Sequence, residues 1–188
     1  MAPLNPDIDV LPIGPGVLHP DLLPGNVWGS NLRGIFSRDE WDDLRIPVCE
    51  AADNRCEVCK EHSVDRSGRQ RRPDCHELWH FESTAEAKVQ RLIRLIALCV
   101  DCHRVQHIGL AQVKGELPLV RRQLKKVNSW TDSQVDRAMD DAVARYEWRG
   151  RYGWDLDLSL LADKIRIDTH PSLRIPADDR RSLGNSFS

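Results

Sequence analysis

A chain of 188 residues suffices for one medium domain with extensions, or a small domain with arms. With 40% hydrophobic and 30% charged residues it has the composition of a soluble globular protein, and no apolar run approaches the roughly 18–20 residues of a membrane span. The start lacks the basic residues and apolar core of a signal peptide, which points to a cytoplasmic protein. The net charge of -2 is unevenly spread: Arg55–Lys125 holds 14 Lys+Arg against 9 Asp+Glu. All six cysteines, and five of the seven histidines, fall in or beside that positive stretch. A basic segment between acidic arms is compatible with a nucleic-acid substrate, and equally with ordinary solvated charge.

Residues 1–30 read as an extended arm, because six of the 11 prolines precede residue 25. Ser37 and Glu40 form a capping box that opens a helix carrying Trp41, Leu44 and Val48 at helical spacing. Pro47 is expected to kink or split that helix near Ile46. Cys49 reads as a small buried hydrophobe. Residues 60–74 are polar and read as a loop, with Arg66, Arg69, Arg71 and Arg72 either gripping phosphates or facing solvent. A strand is expected over Cys75–Phe81, and a second apolar stretch over Leu92–Leu98. One helix is expected over Val100–Val113, ending near Gly115, and another over Leu117–Val127. Thr131 and Gln134 form a second capping box, opening a helix to about Arg149. Trp154–Leu160 alternates like a short strand, and residues 170–188 read as a loose tail.

Two strings stand out, Cys56-Glu-Val-Cys59 and Cys99-Val-Asp-Cys102. Structural zinc takes four tetrahedral ligands, and thiolates suit its borderline-soft character. In a reducing compartment, paired C-x-x-C knuckles are metal ligands more often than disulfides. The 39 residues between the pairs exceed a simple zinc ribbon and must carry a further element. That interval contains Asp74-Cys75-His76-Glu77-Leu78-Trp79-His80, and the second knuckle runs into His103 and His107. The last two are four apart on the expected helix and share a face, a common seat for one ion. Glu77 either orients a histidine or faces solvent. His80 is a packed strand histidine or a support to the site, and Trp79 reads as core.

The strings C-E-V-C, C-H-E-L-W and L-I-A-L-C-V-D-C-H-R-V-Q-H-I-G resemble the HNH endonuclease family. Weaker likeness in Trp28-Gly-Ser-Asn-Leu-Arg-Gly, around Val127-Asn-Ser-Trp130 and in Trp154-Asp-Leu-Asp-Leu resembles its bacterial and phage zinc-knuckle members. The resemblance implies a ββα-metal core gripping one divalent ion: zinc, magnesium, manganese or nickel. It implies His76 as general base and His103 and His107 as ligands to the catalytic ion, with Cys75 either a further ligand or a spectator. A thiolate there favours zinc or another thiophilic ion over magnesium. Arg94 stands where the family commonly has the asparagine that braces the loop and orients the base; an arginine there either supports the site or contacts a phosphate.

The expected fold is therefore α+β: a small ββα-metal HNH core with a four-cysteine zinc knuckle, flanked by helices. The expected organisation is an arm over 1–30, the knuckle and core with their leading helix over 31–115, a helical extension with a short strand over 116–165, and a flexible tail over 166–188. The function implied is metal-dependent cleavage of DNA in a bacterial cell or phage-infected host. One rival is a zinc-stabilised nucleic-acid-binding module that no longer cleaves. Another is a structural component of a phage or defence assembly that binds a protein partner through residues 116–149.

Overall fold

The computed structural model describes residues 11–27, 31–65 and 67–183. Trp28, Gly29, Ser30 and Arg66, together with the outermost parts of the expected arm and tail, lie outside the described residues.

The chain enters along residues 11–27, which lie against the rest of the molecule. A tight turn pairs Gly14 with Val17, and the Gly16 N–H donates to the Val58 carbonyl. Leu18 is fully buried, and Asn128 holds it from both sides: Leu18 N–H donates to Asn128 Oδ1 (2.9 Å), and Asn128 Nδ2 donates to Leu18 O (2.8 Å). Side chain–backbone bonds of this kind satisfy the amides of a segment that has no ladder of its own.

Helix α1 spans Leu32–Ile35 and α2 spans Arg38–Ala51. The Ser37/Glu40 capping box is present, with both reciprocal bonds. The expected break at Pro47 is not: α2 continues to Ala51. Proline removes the amide bond to Asp43, but Pro47 and Asp43 are both exposed, so the freed carbonyl reaches water. Burial of Trp41, Leu44 and Cys49 holds the other face.

The interval expected as loop contains a small antiparallel hairpin, β1 (Ser63–Val64) with β2 (Gln70–Arg71). Its turn is an Asp turn: Asp65 Oδ1 accepts from Ser67 N, Ser67 Oγ and Arg69 N. Gly68 supplies the left-handed residue, at φ 81.

Strands β3 (Asp74–Ser83) and β4 (Lys88–Leu98) form a long antiparallel hairpin. The register shifts between Leu78 and Trp79, which face Arg94 and Leu92, so Ile93 is the extra residue of a bulge. β5 (Asp155–Asp157) joins β4 in parallel, and β6 (Arg174–Ile175) closes the sheet antiparallel to β5, giving the order β3-β4-β5-β6.

The helix expected over Val100–Val113 is two helices, α3 (Val100–Gln106) and α4 (Ile108–Val113). The joint is His107, whose backbone (φ -122, ψ 49) leaves the helical region. α5 (Leu117–Asn128) and α6 (Asp132–Arg149) follow, the second with its Thr131/Gln134 capping box in place. The tail is not loose through its described part. It supplies β6 and a last helix, α7 (Arg180–Leu183), and it buries Ile175 and Arg180. Arg180 is drawn in by hydrogen bonds to Trp154 O (2.9 Å) and Gln90 Oε1 (2.7 Å).

Two cores result. One, around Phe81, Trp154 and Leu156, joins the sheet to α2 and the C-terminal strands. The other contains Cys56, Cys99 and Cys102 and packs them against Leu18, Val105 and Leu124. The fold is thus mixed α+β. No helix among the described residues is long and apolar enough to cross a membrane.

Candidate metal centres

The four knuckle cysteines converge. Cys56, Cys59, Cys99 and Cys102 are free thiols whose sulfurs lie within 4.8 Å of one another. Cys59 and Cys99 Sγ are 3.6 Å apart. Tetrahedral zinc with sulfurs at about 2.3 Å sets neighbouring sulfurs roughly 3.8 Å apart, so the set fits such an ion. Contact with Cys102 holds the Cys56 thiol down, while contact with Cys56 drives Cys102 up.

Local chemistry explains how two knuckles far apart in the chain come together. Glu57 N–H donates to Ala97 O and Glu57 Oε1 accepts from Ala97 N–H, both at 2.9 Å. Glu57 Oε2 also accepts from Arg94. The first knuckle is thereby stitched to the end of β4, one residue before the turn into the second. The buried Gln123 on α5 donates Nε2–H to Cys102 Sγ (3.1 Å), a bond that favours a thiolate. Neither Glu57 nor Gln123 is marked by spacing; only the folded geometry shows their part.

A second group, His76 on β3 with His103 on α3 and His107 at the α3–α4 joint, brings three imidazoles together with ligand atoms within 4.8 Å. The His103 and His107 Nε2 atoms are 3.0 Å apart, close to the roughly 3.3 Å expected of two nitrogens on one tetrahedral ion. His76 faces both rings edge-on, with centroids 5.2 Å and 5.0 Å away. Its Nδ1 is buried with no hydrogen-bond partner among the described residues. An orphaned nitrogen beside two others is what a cation or a bound water satisfies, so this group also fits a metal. His76 and His107 favour their neutral forms. Burial holds His76 well below the ordinary histidine range, with His103 and His107 adding to the effect. His107 is exposed as a whole residue, yet desolvation of its ring and the adjacent His103 bring it down to about 4.

Asp74 supports this group. Its Oδ2 lies 3.5 Å from His103 Nδ1, and its other oxygen takes Arg71 Nη2 at 2.5 Å. A carboxylate at Nδ1 fixes the tautomer that leaves Nε2 free towards His107. Asp74→Asn is expected to weaken binding of an ion at the histidines about 10–100-fold, measured by metal titration, while the cysteine-held ion stays bound. Unchanged affinity would remove Asp74 from this role.

The other singled-out residues sort clearly. Cys75 is not in the histidine group. It neighbours His76 on the strand, packs against the core that contains Trp41 and Leu44, and has its thiol pushed up to about 12 by burial. Cys75→Ala is therefore expected to cost about 1–2 kcal/mol of stability and to leave both metal affinities unchanged in titrations. Glu77 neither touches a histidine nor faces solvent freely: Oε1 accepts the Leu32 N–H (3.1 Å), tying α1 to β3, and burial raises its carboxyl. Arg94 is engaged with Glu57, away from the histidines. His80 lies roughly 13 Å farther along the strand than His76 and does not reach the group.

The histidines open onto a cleft of 1180 Å³ between β3, α1–α2 and α4, with arginines on its α1–α2 wall. Comparison of the chain with models of protein families, with curated proteins and with solved structures finds no match.

Proposed function

We propose that this chain is a metal-dependent endonuclease of the HNH type, with a ββα-metal core formed by β3, β4 and α3, that hydrolyses phosphodiester bonds in DNA. The observation that carries the reading is the convergence of His76 from the strand with His103 and His107 from the helical segment, lining an arginine-walled cleft. The four-cysteine group holds a structural zinc ion, and His103 and His107 hold one exchangeable divalent ion. When bound, that ion polarises a phosphoryl oxygen and stabilises the charge that develops on it. His76, neutral and buried, takes a proton from a water molecule as the water oxygen bonds to phosphorus. The bond from phosphorus to the leaving oxygen then breaks, its electron pair stays on that oxygen, and the oxygen takes a proton from solvent water.

A binding module without cleavage is the second reading. Its support is Arg94, which occupies the position of the family's asparagine and is engaged with Glu57. A supercoiled-plasmid assay with magnesium, manganese, nickel or zinc separates the two. Nicked or linear product with at least one ion is the expected result. Retained plasmid binding with no cleavage under any ion would leave the binding module as the function.

A further inference from the structure

Resting on the nuclease reading, we infer that Arg33 on α1 and Arg38 at the start of α2 form a track for the DNA phosphate backbone, leading to the three histidines. Both line the cleft and both are exposed. The cleft's other charges are largely used within the protein. Arg45 pairs with Asp42 (2.6 Å) and Arg71 with Asp74. Asp21 is taken by the buried Arg149 (2.8 Å). Glu77 is occupied by the Leu32 N–H. Arg72 reaches Glu50, at 3.8 Å between exposed groups. No ion pair forms on Arg33 or Arg38 among the described residues, so these two guanidinium groups of the cleft wall are available to an incoming anion.

The position of Arg38 is a separate observation. It is the first residue of α2, where the helix macrodipole disfavours a cation and favours Asp39 and Glu40 beside it. Local stability therefore does not account for an arginine there, whereas an anion arriving in the cleft does. Guanidinium groups in this setting bind phosphate oxygens bidentately and carry no sequence preference. The track comes from α1 and α2, outside the hairpin and helix that present the histidines. It thus separates holding the strand from cutting it.

The test is binding of a short fluorescein-labelled DNA duplex by fluorescence anisotropy, without added divalent ion, over a salt series. Each lost phosphate contact lowers the salt slope by about one. The Arg33→Ala/Arg38→Ala variant is expected to lose about tenfold in affinity and about two in slope. Lysine at both positions is expected to restore most of the slope. Arg137→Ala/Arg166→Ala removes the same charge from exposed positions that do not line the cleft, and is expected to bind like wild type. If wild type binds and the Arg33/Arg38 variant matches the Arg137/Arg166 variant, the track is overturned and the nuclease reading stands. If wild type fails to bind DNA, the nuclease reading falls and takes the track with it.

Discussion

Replacing Cys102 with alanine is expected to abolish cooperative folding. The sulfur is fully buried, sits within the four-cysteine group, and accepts a hydrogen bond from Gln123 on α5. The first knuckle is fastened to β4 through Glu57 and Ala97, and the second begins α3 directly after β4. An ion held by all four sulfurs therefore ties the end of the hairpin, the start of α3 and the segment after α2 at one point. Structural zinc contributes on the order of 10 kcal/mol to folding, which is comparable with the whole stability of a domain, about 5–15 kcal/mol. Losing one of four ligands should remove most of it. The measurements are zinc per chain and a thermal melt followed by near-ultraviolet dichroism. Cys49→Ala is the control, since Cys49 is equally buried but lies outside the group and donates only to Pro73 O. Its expected cost is about 1–2 kcal/mol, with zinc content unchanged. A Cys102→Ala protein that melts cooperatively near the wild-type temperature would show that the knuckle sulfurs act merely as core side chains.

What could be read from the sequence depended on whether the signal was local. Both capping boxes are four-residue signals, and both are present. The cysteine and histidine groups are legible because metal chemistry restricts spacing as well as residue type. Features that depend on partners distant in the chain left no trace. β6 is two residues long and exists because β5 offers it an edge, so its own pattern carries no alternation. Arg180 reads as a solvated tail residue until Gln90 and Trp154 are placed beside it. The same holds at the site. Asp74 stands two residues before His76, yet its contact is with His103, 29 positions on. Expecting Cys75 beside the ion neglected strand alternation, which sends adjacent side chains to opposite faces. The break at His107 escaped because the apolar spacing of Val105, Ile108 and Ala111 is that of a continuous helix.

His76→Ala is expected to lower DNA cleavage by about 10²–10⁴-fold, the usual contribution of a positioned general base, while an ion still binds at His103 and His107. The two effects separate because the helix histidines face each other directly, Nε2 to Nε2, without His76 between them. His103→Ala removes a ligand and is expected to lose ion binding and cleavage together. Metal titration and plasmid cleavage on the same two proteins make the distinction. If His76→Ala also fails to take up the exchangeable ion, His76 is a third ligand and the base lies elsewhere. The pH profile adds an independent check. A base acts only when deprotonated, and burial together with the neighbouring imidazoles holds His76 well below the ordinary value of 6.5; a bound cation moves it the same way. The acid limb of the cleavage rate should therefore fall below pH 6.5, with activity kept as pH drops through the normal histidine range and lost only further down. An acid limb at or above 6.5 would mean that the group being protonated is an ordinary solvent-exposed histidine, and would remove His76 from the role of base.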